Sequence, residues 1–304
     1  MYHSEIVDEL MRGAIDLHCH HYPEISLDLR MRLTDIECLR MAASYGMKAM
    51  IFKSHMWPTM SHTYLLQETL SEIRVFGGIA LNPCVGGLKP WVVEAAIKLG
   101  ARAIWMPTWG AKNDNRNGWG GGASKILQKA YRNMSAFTPE ELISVVDENG
   151  KLKEEVKDIL QIVKEAGNVI LFTGHISPSE TLALAEAAAK EGFKKLVFSH
   201  PLSHTVGAKI EDMLAVAKMG FFIEFCFIAT LPLRQKESPQ EIYETITQIG
   251  PEHCILTTDA IYAWGPPAPE MFRMFIAAML ELGLDSEQIK VMVQKNPGEL
   301  LGLQ

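Results

Sequence analysis

A chain of 304 residues is long enough for two small domains or for one large barrel, which usually needs about 250 residues before insertions. With 48% hydrophobic and 21% charged residues it has the composition of a globular protein, and no stretch is apolar for the roughly 20 residues of a membrane span. A formal charge of −7 without a long Lys/Arg run argues against nucleic acid or an anionic membrane as partner and favours a small molecule.

The opening residues, Met1 to Leu10, carry charge where a secretory signal needs an apolar stretch, so the cytoplasm is the expected location. Cys19, Cys38, Cys84, Cys226 and Cys254 are scattered and odd in number, which suggests neither a disulfide framework nor a zinc ribbon. Buried thiols acting as small hydrophobes are expected instead.

Periodicity predicts eight strands: Ala14 to His20, Lys48 to His55, Val75 to Asn82, Ala101 to Pro107, Val169 to His175, Lys195 to His200, Phe221 to Phe227 and Cys254 to Asp259. Helical spacing is predicted between them, around Thr34 to Tyr45, Pro90 to Leu99, Leu152 to Ala166, Ser179 to Lys190, Ala208 to Met219, Gln240 to Ile249 and Pro269 to Leu282. Gly46, Gly100, Gly167, Gly192, Gly220 and Gly250 each fall between such a stretch and the next strand, where a left-handed cap favours glycine. The expected fold is a (β/α)8 barrel forming a single domain over residues 1–304; a doubly wound sheet is the competing architecture, and it normally draws its ligand to one switch point.

One connection is about twice as long as the others, from Trp109 to Ala166. An insertion is expected over about residues 109–150. Its first part is polar and glycine-rich, suited to a lid in which Trp105, Trp109 and Trp119 cover a substrate. Its end, Ile143 to Leu152, has a turn at Asp147-Glu148-Asn149-Gly150 that predicts a small hairpin. The glycine run lacks the Gly-Lys-Ser/Thr ending of a phosphate loop.

Chemistry-bearing residues gather at the C-terminal ends of the predicted strands. Asp16, His18 and His20 alternate along the first; His175 ends the fifth, His200 the sixth and Asp259 the eighth. A histidine at a strand end can simply brace a loop, yet His18, His20, His175, His200 and Asp259 meeting at one mouth of a barrel predict a metal centre. Nitrogen and carboxylate ligands suit Zn²⁺ best, with Mn²⁺, Fe²⁺, Co²⁺ and Ni²⁺ as further choices and one or two ions per chain.

With these motifs in this order, the chain resembles the amidohydrolase superfamily of metal-dependent hydrolases. The superfamily's His-x-His maps to His18 and His20, its fifth- and sixth-strand histidines to His175 and His200, and its eighth-strand aspartate to Asp259. The closing Asn296-Pro297-Gly298-Glu299-Leu300-Leu301-Gly302-Leu303 is also similar to the superfamily's terminal motif. Many binuclear members carry a carboxylated lysine or a glutamate on the fourth strand, where this chain has Ala103-Ile104-Trp105-Met106-Pro107. Lys53, at the end of the second strand, can supply a carboxylated bridge or remain an ammonium for an anionic substrate; a structural ion pair is the third reading.

The resemblance implies hydrolysis. A bound ion lowers the pKa of its water from 15.7 toward about 7, and Asp259 takes the proton and passes it to the leaving group. His200 either ligates or polarises the substrate. Candidate substrate contacts are His55, His62, His204, Arg30, Asn82, Thr108, Trp109 and Tyr262. The expected substrate is a small amide, lactone or ester with an anionic group; a metal-dependent decarboxylase and a phosphoesterase are the alternatives. A homo-oligomer is common among such enzymes, and Met271, Met274 and Met279 could line its face or pack internally.

Overall fold

The computed structural model describes residues 4–116, 130–131, 140–232 and 237–303. Trp119 and the glycine run at 118–122 lie outside them. Eight strands appear at the predicted places: β1 (Ile15–His20), β2 (Ala49–Lys53), β3 (Arg74–Ala80), β4 (Ala103–Trp105), β5 (Ile170–Phe172), β6 (Leu196–Phe198), β7 (Phe222–Cys226) and β8 (Cys254–Thr257). They follow one another in sequence order in a single sheet, with parallel pairing from β1 through β7 and a parallel bridge between Cys19 and Ala260. With helices in the crossovers, the fold is a (β/α)8 barrel. All strand residues are buried except Arg74, which explains why the strands read as apolar runs rather than as alternating patterns.

The seven predicted helices are all present, the longest being Ala268–Leu282. Among the described residues five further α-helices were not anticipated: Ser4–Met11, Met60–Thr69 and the short Lys112–Arg116, Ser286–Lys290 and Asn296–Leu301. Of these, Met60–Thr69 buries only Met60, Thr63 and Leu66, too sparse a stripe to stand out in the sequence. Among the described residues no helix is long and apolar enough to cross a membrane. All five cysteines are thiols, and four are buried.

Contacts divide the chain into two compact units. The first comprises Met1–Lys53, Thr59–Gly77 and Glu224–Gln304, the second Ser54–Pro58 and Gly78–Ile223. In the first, Ile15, Leu17, Met50, Phe52, Ile255, Phe272 and Phe275 are fully buried. The closing motif has a structural task there: Asn296 Nδ2 donates to the carbonyls of Pro251 (2.9 Å) and Cys254 (2.8 Å), fixing the entry to β8.

In the second unit Trp105 stacks on Phe172, with ring centroids 4.8 Å apart. The predicted hairpin is reduced to one antiparallel bridge between Val146 and Leu152, its turn held by Asn149 and Lys151 amides donating to Asp147 Oδ1. Glu180 joins this segment to the helix after β5: its Oε2 accepts from Ser177 in a capping box, and its Oε1 accepts from Ser144 Oγ and the Val145 amide.

Gly174 shows how tightly the end of β5 is specified. Its φ is +61°, and a Cβ there would meet the Met106 carbonyl oxygen at 2.4 Å and that of Pro107 at 2.7 Å. Gly174→Ala is expected to lower unfolding free energy by more than about 2 kcal/mol, measurable as a lower urea midpoint at unchanged slope.

Candidate metal centre

In the first unit the strand ends bring together His18, His20 and Asp259. Asp259 Oδ1 lies 3.0 Å from His18 Nε2 and 2.9 Å from His20 Nε2. Donors bound to one ion at about 2.0–2.1 Å and at tetrahedral angles stand about 3.3 Å apart, so these atoms are close to ligand spacing. Both histidines are buried, whereas the Asp259 side chain keeps 20% of its surface open. The Asp259 amide donates to the His18 carbonyl (2.7 Å), tying the end of β8 to β1. Asp16 helps to hold this arrangement: its Oδ1 accepts from the His18 and Thr258 amides and its Oδ2 from Thr258 Oγ1 (2.5 Å). The pairing of β1 with β2 shifts between Asp16 and Cys19, and Asp16 serves as a brace while His18 and His20 reach Asp259.

The other ring nitrogens are also provided for. His18 Nδ1 donates to Glu224 Oε1 (3.1 Å), which in turn accepts from Thr257 Oγ1 (3.0 Å). His20 Nδ1 lies 3.3 Å from Glu24 Oε1. A carboxylate on Nδ1 fixes the tautomer and directs Nε2 toward a metal, the usual arrangement behind ligating histidines. Glu224, on β7, and Glu24, in the loop after β1, were not among the sequence candidates.

Lys53 is 1% exposed, and its Nζ lies 2.8 Å from His18 Nε2. Burial pushes its ammonium below the usual lysine range, against the pull of Asp259, Glu224 and Glu24. For His18, burial and Lys53 oppose protonation, but Asp259 and Glu224 outweigh them and raise its pKa to about 9. Burial works to raise the pKa of Asp259, yet His18 and His20 hold its carboxyl well below the usual range. Two buried groups, His18 and Lys53, and the partly open Asp259 are thus poised around charges that a divalent cation can satisfy together.

The second unit holds its own cluster. His175 Nδ1 donates to Asp114 Oδ2 (2.8 Å), again the carboxylate arrangement, and its ring meets His200 edge to face at 5.0 Å between centroids. His200 Nδ1 lies 3.0 Å from Ser203 Oγ. His55 stacks on Trp109 at 3.9 Å, and its Nδ1 is 2.8 Å from Thr108 Oγ1. Asn82 organises this corner, donating to the His55 carbonyl and to Thr108 Oγ1 while accepting from the Thr108 and Gly110 amides. His55, Thr108 and Trp109 are therefore brought together. Arg30 and His204 are exposed, and Tyr262 stacks on Trp264.

Among described non-glycine residues, positive φ occurs at His200 (26°) and Asp259 (49°), the two positions assigned catalytic roles from sequence. Such conformations cost of order 1–3 kcal/mol each and cluster at working sites. Glu237, 2% exposed after β7, has no hydrogen-bond partner for either oxygen among the described residues. Burial, followed by the charges of Glu241 and Asp259, raises its pKa to about 8.

Removing the carboxylate behind His18, as in Glu224→Gln, is expected to weaken Zn²⁺ binding by about 10- to 100-fold, measured by competition with a chromophoric chelator. Glu237 binds its proton more tightly folded than unfolded, so its contribution to stability is fully present below about pH 4.5 and is lost as pH rises through about 8. Glu237→Gln should flatten that fall, and denaturation midpoints between pH 5 and 9 measure it.

Several solved structures share this architecture. The probable dipeptidase PvdM of Pseudomonas aeruginosa is 12% identical over 100% of both chains, with a TM-score of 0.66. An amidohydrolase from Pseudomonas aeruginosa is 11% identical, covering 99% of this chain and 98% of its own, with a TM-score of 0.65. A lactonase from Listeria monocytogenes is 14% identical, covering 97% and 96%, with a TM-score of 0.61. These likenesses show the fold, and at that level they agree with the amidohydrolase resemblance. Among curated proteins, a DNA-directed RNA polymerase I subunit RPA2 homolog of Caenorhabditis elegans is 25% identical over 177 residues, 56% of this chain. The chain spans only 15% of that relative's length. A family model matches residues 13–224, a segment that contains His18, His20, Lys53, His175 and His200 and stops before Asp259. The chain belongs to that family, DUF6282, a family of unknown function.

Proposed function

We propose that this protein is a metal-dependent hydrolase acting on a small amide, lactone or ester with an anionic group. The observation that carries this reading is His18 and His20 sharing Asp259 Oδ1 at 3.0 and 2.9 Å, with Glu224 and Glu24 beside their other nitrogens. Zn²⁺ is the first choice for this nitrogen and carboxylate donor set. When bound, the ion supplies a water activated near neutral pH and a Lewis acid for a carbonyl oxygen.

His18 and His20 hold the ion through Nε2. Asp259 is the general base: Oδ1 faces the two imidazoles, and Oδ2 takes the proton of the attacking water and returns it to the leaving group. Its 20% exposure, beside fully buried histidines, gives it access to a substrate. Lys53, whose Nζ lies 2.8 Å from His18 Nε2, would serve either as a metal ligand after its neutral amine adds carbon dioxide and loses a proton to give a carbamate, or as the cation that meets the substrate's anionic group. The resemblance to the amidohydrolase superfamily makes His175 a further ligand and His200 a ligand or a group that polarises the substrate. The lactonase and the dipeptidase among the similar folds support an acyl substrate. Five thiols without a disulfide suit a reducing cytoplasm.

The test combines metal content with isotope incorporation. Wild type is expected to carry one or two equivalents of metal, and His18→Ala and His175→Ala are each expected to lose metal. Asp259→Asn should remain folded and lose turnover by at least about 10²-fold, in keeping with the contribution of a general base. Product formed in H₂¹⁸O should carry the label. Two equivalents accompanied by a carbamate ¹³C resonance that is absent in Lys53→Arg select the bridging role. Release of carbon dioxide without label incorporation would replace hydrolysis by decarboxylation, and absence of metal after reconstitution with Zn²⁺ or Mn²⁺ would end the metal reading.

A further inference from the structure

A second group of potential ligands lies in the first unit. His21 follows β1, Asp35 opens the helix Asp35–Ser44, and His62 lies in the first turn of Met60–Thr69. Three separate elements thus bring two imidazoles and a carboxylate together, and one donor atom from each lies within 4.8 Å of the others. His62 Nε2 is 2.5 Å and His21 Nδ1 3.9 Å from the same oxygen, Asp35 Oδ2, and the two rings are 5.3 Å apart.

Three features favour an ion over a plain hydrogen-bond network. First, His21 Nδ1 is buried and has no hydrogen-bond partner among the described residues, although it faces a carboxylate. Second, the Tyr22 amide donates to Asp35 Oδ1 (2.8 Å), so Oδ2 is the oxygen left to the imidazoles. Third, Glu24 Oε2 lies 4.0 Å from His21 Nε2, a carboxylate on the far side of the ring from Asp35. Because successive residues at a strand end face opposite ways, His21 diverges from His20 and does not join the set around Asp259. His62 is half-exposed, its side chain 38% open, which gives an ion a way in.

We propose that His21, Asp35 and His62 form a second binding site for a divalent cation, separate from His18, His20 and Asp259. His21 ligates through Nδ1, His62 through Nε2 and Asp35 through Oδ2. Two nitrogens and one oxygen suit Zn²⁺ or Co²⁺ and leave a fourth position for water. The ion ties the loop after β1 to two helices.

The probe is Co²⁺, titrated into the chelator-stripped full-length protein and followed by its visible absorption. His62→Ala is expected to bind one equivalent fewer than wild type. A His18→Ala/His20→Ala variant should retain the equivalent that His62→Ala lacks, and combining all three substitutions should abolish it. His62→Ala alters a partly exposed residue, and circular dichroism confirms that it is folded; Asp35→Asn gives an independent variant with the same expected loss. If folded His62→Ala and Asp35→Asn bind as many equivalents as wild type, with the same spectrum, the second site is disproved. That result leaves the reading of His18, His20 and Asp259 untouched, because that centre is scored separately in the His18→Ala/His20→Ala protein.

Discussion

Burying an imidazole between two carboxylates is the constraint around which the first unit is arranged. His18 has no exposure, with Glu224 on one nitrogen and Asp259 on the other. Buried charge is costly unless it is paired and hydrogen-bonded, so each group here requires its neighbours. Glu224 requires Thr257, Asp16 requires Thr258, and both threonines lie at the end of β8 immediately before Asp259. The polar residues at the strand ends therefore form a connected network that sets the position of β8 against β1. Lys53 completes it from β2, bringing its amino group to the side of His18 that faces Asp259.

The same provision of a partner on Nδ1 recurs in the second unit, where Asp114 holds His175 and Ser203 lies against His200. Rings fixed in this way lose little rotational freedom when Nε2 takes a ligand, because the orientation is already set by the folded protein. Asn82 does comparable work without charge, using its amide and carbonyl to join the ends of β3 and β4 and the His55 carbonyl.

Much of this was legible in the sequence. Strands buried on both faces read as short apolar runs, helices as longer periodic ones, and glycine marked the joints between them, so all eight strands could be located. His18, His20 and Asp259 stood out because polar side chains are conspicuous at the ends of apolar strands. Glu224 did not, because one acid inside Phe221-Phe222-Ile223-Glu224-Phe225-Cys226 gives no hint of a distant imidazole. Asp114 was hidden in a polar loop, where an aspartate is ordinary. Asp16 was expected to share a face with the two histidines, and the register shift after it, visible only in three dimensions, gave it a bracing role. His62 belongs to a helix too weakly patterned to be read, so its meeting with Asp35 and His21 was beyond sequence reasoning.

The left-handed backbone at His200 and Asp259 has a consequence for how this protein responds to selection. L side chains other than Asn and Asp rarely accept that conformation, and glycine accepts it freely. His200 is therefore the position at which the backbone is strained, whereas Asp259 is a residue type that tolerates it. A library screened only for heat resistance would accumulate glycine or asparagine at position 200 and lose the His200 imidazole. Selection on this scaffold has to score retention of His200 and melting together from the first round.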